Sequence, residues 1–134
     1  MRISTFLTIF AAAAVVVLVA CKETEAQQVK AAVHKISADE AHKMMQELKS
    51  YTLLDVRTEN EFKEKRIKGA ILIPDHEVKP RAEKELTDKN QPILIYCRSG
   101  RRSAKAAEEL TILGYKKVYD FGGIIDWNYE VEAD

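Results

Sequence analysis

The residues best suited to covalent chemistry lie together in the short segment CRSGRRS, residues 97–103. Cys97 ends the apolar stretch PILIYC, and the thiolate form of cysteine is the reactive nucleophile. The residues that follow it are Arg98, Ser99, Gly100, Arg101, Arg102 and Ser103. Nearby positive charge favours thiolate over thiol, so the segment indicates a reactive sulfur beside an anion-binding loop. A phosphate pocket and a basic helix start are the alternatives that the segment leaves open.

Helical and strand patterns alternate from Ile36 onward. Apolar strand-like runs occupy residues 51–56, 70–74, 92–97 and 117–121. Helical spacing predicts helices over residues 38–49, through Phe62, over 81–86 and after residue 103. Strands that alternate with helices indicate βαβ units and a mainly parallel sheet, that is, an α/β fold.

Local signals mark several helix ends. Ser37 with Glu40, and Thr58 with Glu61, form capping boxes, in which the two side chains satisfy backbone N–H groups at the helix start. The buried stripe of the helix after residue 103 is predicted at Ala104, Ala107, Leu110 and Leu113, with Gly114 at its end. The segment GGIIDWNYE predicts a turn and a short helix anchored by Trp127.

The predicted topology gives Cys97 a defined place. Residues 92–97 are apolar without polar alternation, which predicts a central strand buried on both faces. In open α/β sheets, ligands bind beyond the carboxyl ends of the strands. The loop after Cys97 leads into a helix start, where backbone N–H groups and the helix dipole favour an anion. Gly100 lets this loop turn without a side-chain clash.

The first twenty residues have the pattern of an export signal. Arg2 supplies a positive charge, and Ile9 to Ala20 form an apolar run that is short for a membrane span. The run ends in LVAC, which resembles the lipobox of bacterial lipoproteins, whose cysteine, here Cys21, is lipidated. Lys22 after that cysteine favours the outer membrane in a Gram-negative cell. A buried core helix, or a secreted protein cleaved after Ala20, are the alternatives.

Cysteine usage supports a chemical role for Cys97. The chain has 2 cysteines, and lipidation of Cys21 would leave Cys97 as the free thiol. An exported protein normally pairs its cysteines, because its compartment is oxidising. A buried structural thiol at a strand end is the alternative.

Charge and composition divide the chain into three predicted parts: a signal at 1–20, a polar tether at 21–34 and a domain at 35–134. Removing the signal removes one base, Arg2, of 21, which leaves 20 bases against 21 acids. This balance gives no reason to expect nucleic-acid binding. His34, His42 and His76 lack the spacing of metal ligands, so no metal site is expected.

Four segments in order give a resemblance to a known family. They are LLDVRTENEF, IKGAILIP, ILIYCRSGRRSAKAAEEL and VYDFGGIIDW. Together they resemble the rhodanese (thiosulfate sulfurtransferase) family over about residues 36–129, most closely its single-domain members of the bacterial envelope. The resemblance implies a rhodanese-like three-layer sandwich, with a mainly parallel central sheet flanked by helices.

The resemblance also implies a reaction. Cys97 would take a sulfane sulfur from thiosulfate or a similar small anionic donor, become a persulfide, and pass the sulfur to cyanide or a thiol. Backbone amides of residues 98–103 would cradle the outer sulfur, and Arg101 and Arg102 would attract the donor. No cofactor is implied. Polar residues near the loop are expected to support its surroundings rather than react; these are Asp55, Arg57 and Glu61.

Two rival functions and one departure accompany the resemblance. Cysteine-dependent phosphatases and arsenate reductases use a thiolate loop in which the phosphatase arginine is six residues after the cysteine, where this chain has Ser103. A non-catalytic rhodanese-like binding module is the other rival, although such modules typically lack the cysteine. The family's Gly-His-Ile is replaced here by Lys65-Arg66-Ile67, on a segment that is usually structural.

Overall fold

The protein is described by a computed structural model that covers residues 22–25, 27 and 32–134. The predicted signal at 1–20 and the predicted lipidation site Cys21 lie outside the described residues. Contacts divide the chain into two units, 1–31 and 32–134. Residues 22–25 and 27 of the first unit, within the predicted polar tether, are helical and exposed. Lysine, glutamate and glutamine favour helix, so a polar composition is compatible with helix here.

The second unit is built on a five-stranded parallel sheet. The seven strands of the described residues are β1 (Val33–Lys35), β2 (Thr52–Asp55), β3 (Arg66–Ile67), β4 (Ile71–Leu72), β5 (Ile93–Cys97), β6 (Val118–Gly123) and β7 (Val131–Glu132). The order in the main sheet is β1-β6-β5-β2-β4, and every pairing in it is parallel. The predicted α/β class and the central place of β5 are therefore confirmed. The predicted tether extended through residue 34, two residues into this sheet.

Residues 32–134 contain four α-helices. They are α1 (Ala38–Glu47), α2 (Glu59–Glu64), α3 (Val78–Glu85) and α4 (Arg101–Ile112). Both predicted capping boxes are present, at the starts of α1 and α2. Helix α3 begins three residues before the predicted Arg81, because Pro80 falls in its first turn, where a missing N–H breaks no helical hydrogen bond. Gly114 follows the end of α4 with φ +96°, as the predicted helix stop requires.

Two apolar cores lie on opposite faces of the sheet. Successive side chains of β5 alternate between them, so Ile93, Ile95 and Cys97 join one core while Leu94 and Tyr96 join the other. The first core includes α3 and α4; the second includes α1, Phe121 and the buried Trp127. All five residues of β5 are buried, and the three layers explain why this strand has no polar alternation.

The buried stripe of α4 differs from the predicted one. Its buried residues are Ser103, Ala106, Ala107 and Leu110, whereas Ala104 and Leu113 are only partly buried. The prediction missed Ser103 because its polar side chain did not count toward an apolar stripe. The burial of Ser103 indicates that the first turn of α4, and not only its apolar stripe, faces the interior.

A second, two-stranded sheet was not predicted. Strands β3 and β7 pair antiparallel, with Arg66 opposite Glu132. The Arg66 guanidinium donates to Glu132 at 3.2 Å and to Asp134 at 2.8 Å, and lies 4.6 Å from the Phe62 ring centroid. Arg66, where the family pattern has histidine, therefore fastens the C-terminal strand to the domain. The short helix predicted in GGIIDWNYE is present as a 3₁₀ helix over Ile124–Asp126, and β7 follows it.

None of the helices in the described part of the chain combines the length and apolar character needed to cross a bilayer.

The central strand gives a direct test of the core. Ile95 is fully buried, while Ile112 at the end of α4 is 69% exposed. Ile95→Ala is expected to lower the free energy of unfolding by about 2–5 kcal/mol, because it removes buried methyl groups and leaves a cavity. Ile112→Ala is the matched control and should change it by less than about 0.5 kcal/mol. Urea denaturation measures both; equal losses would contradict the assigned core.

Candidate active site

Cys97 lies at the carboxyl end of the middle strand of the sheet. The residue is 1% exposed, and its thiol is free. The register between β5 and β6 shifts after Ile95, so that Cys97 is opposite Gly123. This irregularity turns the chain out of the sheet at the edge where α/β folds bind ligands.

Backbone N–H groups of the following loop surround the Cys97 sulfur. Gly100 adopts φ +108°, a conformation that favours glycine, and donates its N–H to Sγ at 3.0 Å. The Ser103 hydroxyl lies 3.6 Å from the same sulfur. Burial alone would raise the pKa of the Cys97 thiol, but hydrogen bonds from the backbone of Ser103, Gly100 and Ser99 oppose burial, and the pKa is lowered. The Ser103 hydroxyl adds to this lowering when it donates its proton to the sulfur. The site therefore favours the nucleophilic thiolate.

The three arginines of the loop differ in their surroundings. Arg98 and Arg101 are exposed. Arg102 is half-buried and binds Glu61 with two N–H donors, each 2.9 Å from a carboxylate oxygen. This hydrogen bond outweighs burial and lowers the pKa of Glu61 to about 2. Arg101 and Arg102, both predicted to attract the donor, therefore differ in available charge. Much of the Arg102 charge is compensated by Glu61, whereas the Arg101 charge faces solvent.

Asp55 and Arg57 form a buried ion pair at the end of β2. Arg57 Nη2 donates to Asp55 Oδ2 at 2.6 Å and to the Lys65 carbonyl at 2.6 Å. The guanidinium also lies 5.6 Å from the centroid of the Tyr96 ring, whose pKa is raised mainly by burial. The pair thus connects three elements, which are β2, β5 and the turn that precedes β3. A supporting role for Asp55 and Arg57 stays a prediction.

Two adjacent glycines, which the sequence analysis assigned to a turn, pack directly against the loop. Gly123 has φ −136°, which any residue adopts, yet a Cβ there would lie 2.0 Å from the Arg98 carbonyl oxygen. A Cβ on Gly100 would lie 3.4 Å from Gly122 Cα. The loop thus crosses the end of β6 with backbone against backbone. Two glycines directly after an apolar strand were the available signal for this close approach.

Asp120 is a second residue that the sequence analysis missed. Its carboxylate is 1% exposed and accepts hydrogen bonds from the Ser103 hydroxyl at 2.8 Å and from Gly122 N–H at 3.0 Å. It also forms an ion pair with Lys35 of β1. An acid within an apolar strand pattern was the available signal, because a buried carboxylate requires partners.

An open cleft of about 310 Å³ lies beside the loop. Its lining residues are Arg57, Glu61, Glu64, Lys65, Arg98, Ile124 and Ile125. Arg57 and Glu61 are already held by Asp55 and Arg102. Of the other charged residues in the lining, Arg98 and Lys65 contribute positive charge and Glu64 contributes negative charge, while the exposed Ile125 contributes apolar surface.

Two of the histidines stack on tyrosine rings. His42 stacks on Tyr129 with ring centroids 3.6 Å apart, and His34 stacks on Tyr119 at 5.0 Å. Across the described residues, no three His, Cys, Asp or Glu side chains are grouped as metal ligands.

Comparison with known proteins assigns the family. The family model described as "Rhodanese-like domain" matches residues 37–130, which contain strands β2 to β6, the loop and both glycines. The chain belongs to the rhodanese-like family. The family assignment made from the four sequence segments is thus confirmed.

Several relatives of this chain have been named or solved. It is 40% identical over 73 residues to the thiosulfate sulfurtransferase PspE of Escherichia coli K12, covering 54% of this chain and 70% of the relative. It is 32% identical over 96 residues to a sulfurtransferase of Allochromatium vinosum, covering 71% and 88%. A solved E. coli rhodanese with anions is 34% identical, with a TM-score of 0.60 over 63% of this chain and all of that one.

Substitution of Gly123 tests whether close packing shapes the loop. Gly123→Ala is expected to lower the free energy of unfolding by about 1–3 kcal/mol, because the methyl group overlaps the Arg98 carbonyl. The displaced loop should also change the rate at which iodoacetamide alkylates Cys97.

Gly69→Ala is the matched control. Gly69 has φ +85°, and no atom lies within 4 Å of the position that a Cβ would occupy, so alanine there adds backbone strain of about 1–2 kcal/mol without a clash. Alkylation of Cys97 should be unchanged in this variant. An unaltered alkylation rate in Gly123→Ala would show that the contact does not shape the site.

Proposed function

We propose that this rhodanese is a sulfurtransferase that carries a sulfane sulfur on Cys97. The family and the named relatives support sulfurtransferase activity in general. The observation that carries the specific proposal is the Cys97 thiol at the end of the central strand, with the Gly100 N–H donated to its sulfur at 3.0 Å. A buried sulfur held by N–H donors is suited to bear negative charge without a metal.

The first half-reaction forms a persulfide. The Cys97 thiolate attacks the outer sulfur of thiosulfate, the sulfur–sulfur bond of the donor breaks, and sulfite leaves with the bonding electron pair. Cys97 then bears one additional sulfur, which carries the negative charge. N–H groups of the loop would stabilise that charge as they stabilise the thiolate.

The second half-reaction regenerates the thiolate. An acceptor nucleophile attacks the outer sulfur, and the bond between the two sulfurs breaks with its electrons returning to Cys97. Cyanide would leave as thiocyanate, and a thiolate acceptor would leave as its own persulfide. Neither half-reaction requires a cofactor or an external oxidant.

The charges around the loop fit an anionic donor. Arg98 and Lys65 line the adjacent cleft, and Arg101 is exposed at the start of α4. These side chains would raise the local concentration of thiosulfate. At the position where a phosphatase would have its arginine, Ser103 is buried and bound to Asp120, which favours sulfur transfer over phosphate hydrolysis.

Cys97→Ser tests the reaction. In the full-length protein it should abolish transfer of sulfur from thiosulfate to cyanide, because the hydroxyl cannot form a persulfide. Mass spectrometry of the unsubstituted protein after thiosulfate treatment should find one added sulfur on the Cys97 peptide. Cys21→Ser is the matched control and should retain transfer.

Two results would contradict this proposal. Unchanged turnover in Cys97→Ser would exclude Cys97 as the sulfur carrier. Hydrolysis of a phenyl phosphate ester without sulfur transfer would favour the phosphatase alternative, and absence of both activities would favour a binding module.

We further propose that the protein is a lipoprotein of the cell envelope, anchored through Cys21. The sequence LVAC after a basic residue and an apolar run supports this proposal. Lys22 favours the outer membrane in a Gram-negative cell, with the domain facing the periplasm.

Cys21→Ala tests the anchor. In cells fed a labelled fatty acid, the unsubstituted chain should incorporate label, and Cys21→Ala should not, because the acceptor sulfur is gone. Cys97→Ala, the matched control, should be labelled normally. Persistent labelling of Cys21→Ala would contradict lipidation at this residue.

A further inference from the structure

A chain of polar contacts connects the buried Cys97 sulfur to solvent through Ser103 and then through two residues outside the loop. Cys97 Sγ lies 3.6 Å from Ser103 Oγ, and Ser103 Oγ lies 2.8 Å from Asp120 Oδ1. Asp120 in turn pairs with Lys35, whose side chain is 63% exposed. Asp120 and Lys35 are on β6 and β1, so neither belongs to the segment that binds the sulfur.

The Ser103 hydroxyl has one proton and several acceptors. Gly100 and Gly122 offer carbonyl oxygens at 3.1 and 3.3 Å, and the Asp120 carboxylate is nearer at 2.8 Å. Hydrogen bonds to an ionised acceptor are shorter and stronger than those to a neutral one. The hydroxyl proton therefore points to Asp120, and an oxygen lone pair faces Cys97.

This orientation distinguishes the two protonation states of the sulfur. A thiol donates its S–H to the Ser103 oxygen, as the 3.6 Å contact allows. A thiolate instead needs a donor, and Ser103 becomes one only when its proton turns away from Asp120. Asp120 and the Cys97 thiolate thus compete for the hydrogen bond that the single Ser103 hydroxyl proton can donate.

We propose that Asp120, together with Lys35, is a positioning residue: it holds the Ser103 hydroxyl turned away from Cys97 and restrains formation of the thiolate. The inference rests on the proposed function of Cys97 as the reacting sulfur. Lys35 moderates the restraint, because its positive charge offsets the Asp120 carboxylate. Thiolates are oxidised more readily than thiols, so the restraint would protect Cys97 between turnovers.

Other charges around the sulfur do not replace this contact. The remaining charged groups on the elements packed around the loop are Arg98, Arg101 and Arg102 of the segment and α4, Glu61 of α2, Asp75 before α3, and the Asp55–Arg57 pair after β2. Arg102 favours the thiolate, and Glu61 compensates Arg102. Asp120 is the carboxylate that is hydrogen-bonded to a group touching the sulfur.

The test is the pH profile of Cys97 alkylation by iodoacetamide, followed on the Cys97 peptide of the full-length protein. Asp120→Asn keeps the shape of the side chain and removes its charge. It should lower the midpoint pH and raise the alkylation rate below the midpoint by about fivefold. Lys35→Met leaves the carboxylate less compensated and should raise the midpoint, with a rate lower by about twofold because Lys35 is exposed.

Two further variants separate this proposal from a general structural effect. The double variant should have the midpoint of Asp120→Asn, because Lys35 acts through Asp120. Lys68→Met is the control: Lys68 is 58% exposed and pairs with Glu130 at 2.7 Å, away from the chain of contacts, so its midpoint should be unchanged.

Opposite shifts in the two single variants would support the proposal. Unchanged midpoints, or shifts in the same direction, would overturn it. Alkylation requires no sulfur donor, so a failure here is distinguishable from a failure of sulfur transfer. Loss of sulfur transfer in Cys97→Ser with unchanged midpoints would leave the proposed function intact and remove the role of Asp120.

Discussion

The space between the Arg98 carbonyl and Gly123 limits the geometry of the whole site. A single methyl group on Gly123 would come within 2.0 Å of that oxygen, so the loop and the end of β6 touch through backbone atoms. The Ile125 N–H then donates to the Arg98 carbonyl at 3.3 Å. The Arg98 carbonyl thus faces β6, while the N–H of Gly100 in the same loop points to the Cys97 sulfur. The positive φ of Gly100 and the register shift between β5 and β6 both accompany this turn.

The fold was largely predictable because its main elements have strong local signals. A fully apolar β5 predicted a central strand, and both capping boxes predicted helix starts that the structure confirms. The spacing around Cys97 predicted a thiol at a strand end before a helix. These features depend on residues close together in sequence, where hydrophobic period and capping chemistry act directly.

The missed features depend on residues far apart in sequence. Strands β3 and β7 have two residues each, too few to show a period, and they pair across the domain through Arg66 and Glu132. Gly123 has an ordinary φ, so turn chemistry could not reveal that it is needed for space. The unequal roles of the arginines follow from Glu61, which lies 41 residues before Arg102. Sequence spacing does not specify such partners.

The Glu61 carboxylate accepts hydrogen bonds at the starts of two helices. Its Oε2 accepts from the Thr58 N–H at 2.9 Å, which completes the start of α2, and both its oxygens accept from Arg102 near the start of α4. Aspartate is one methylene shorter and cannot reach both partners, while glutamine keeps the length but loses the charge. We therefore expect substitutions at position 61 to be accompanied by substitutions at positions 58 and 102.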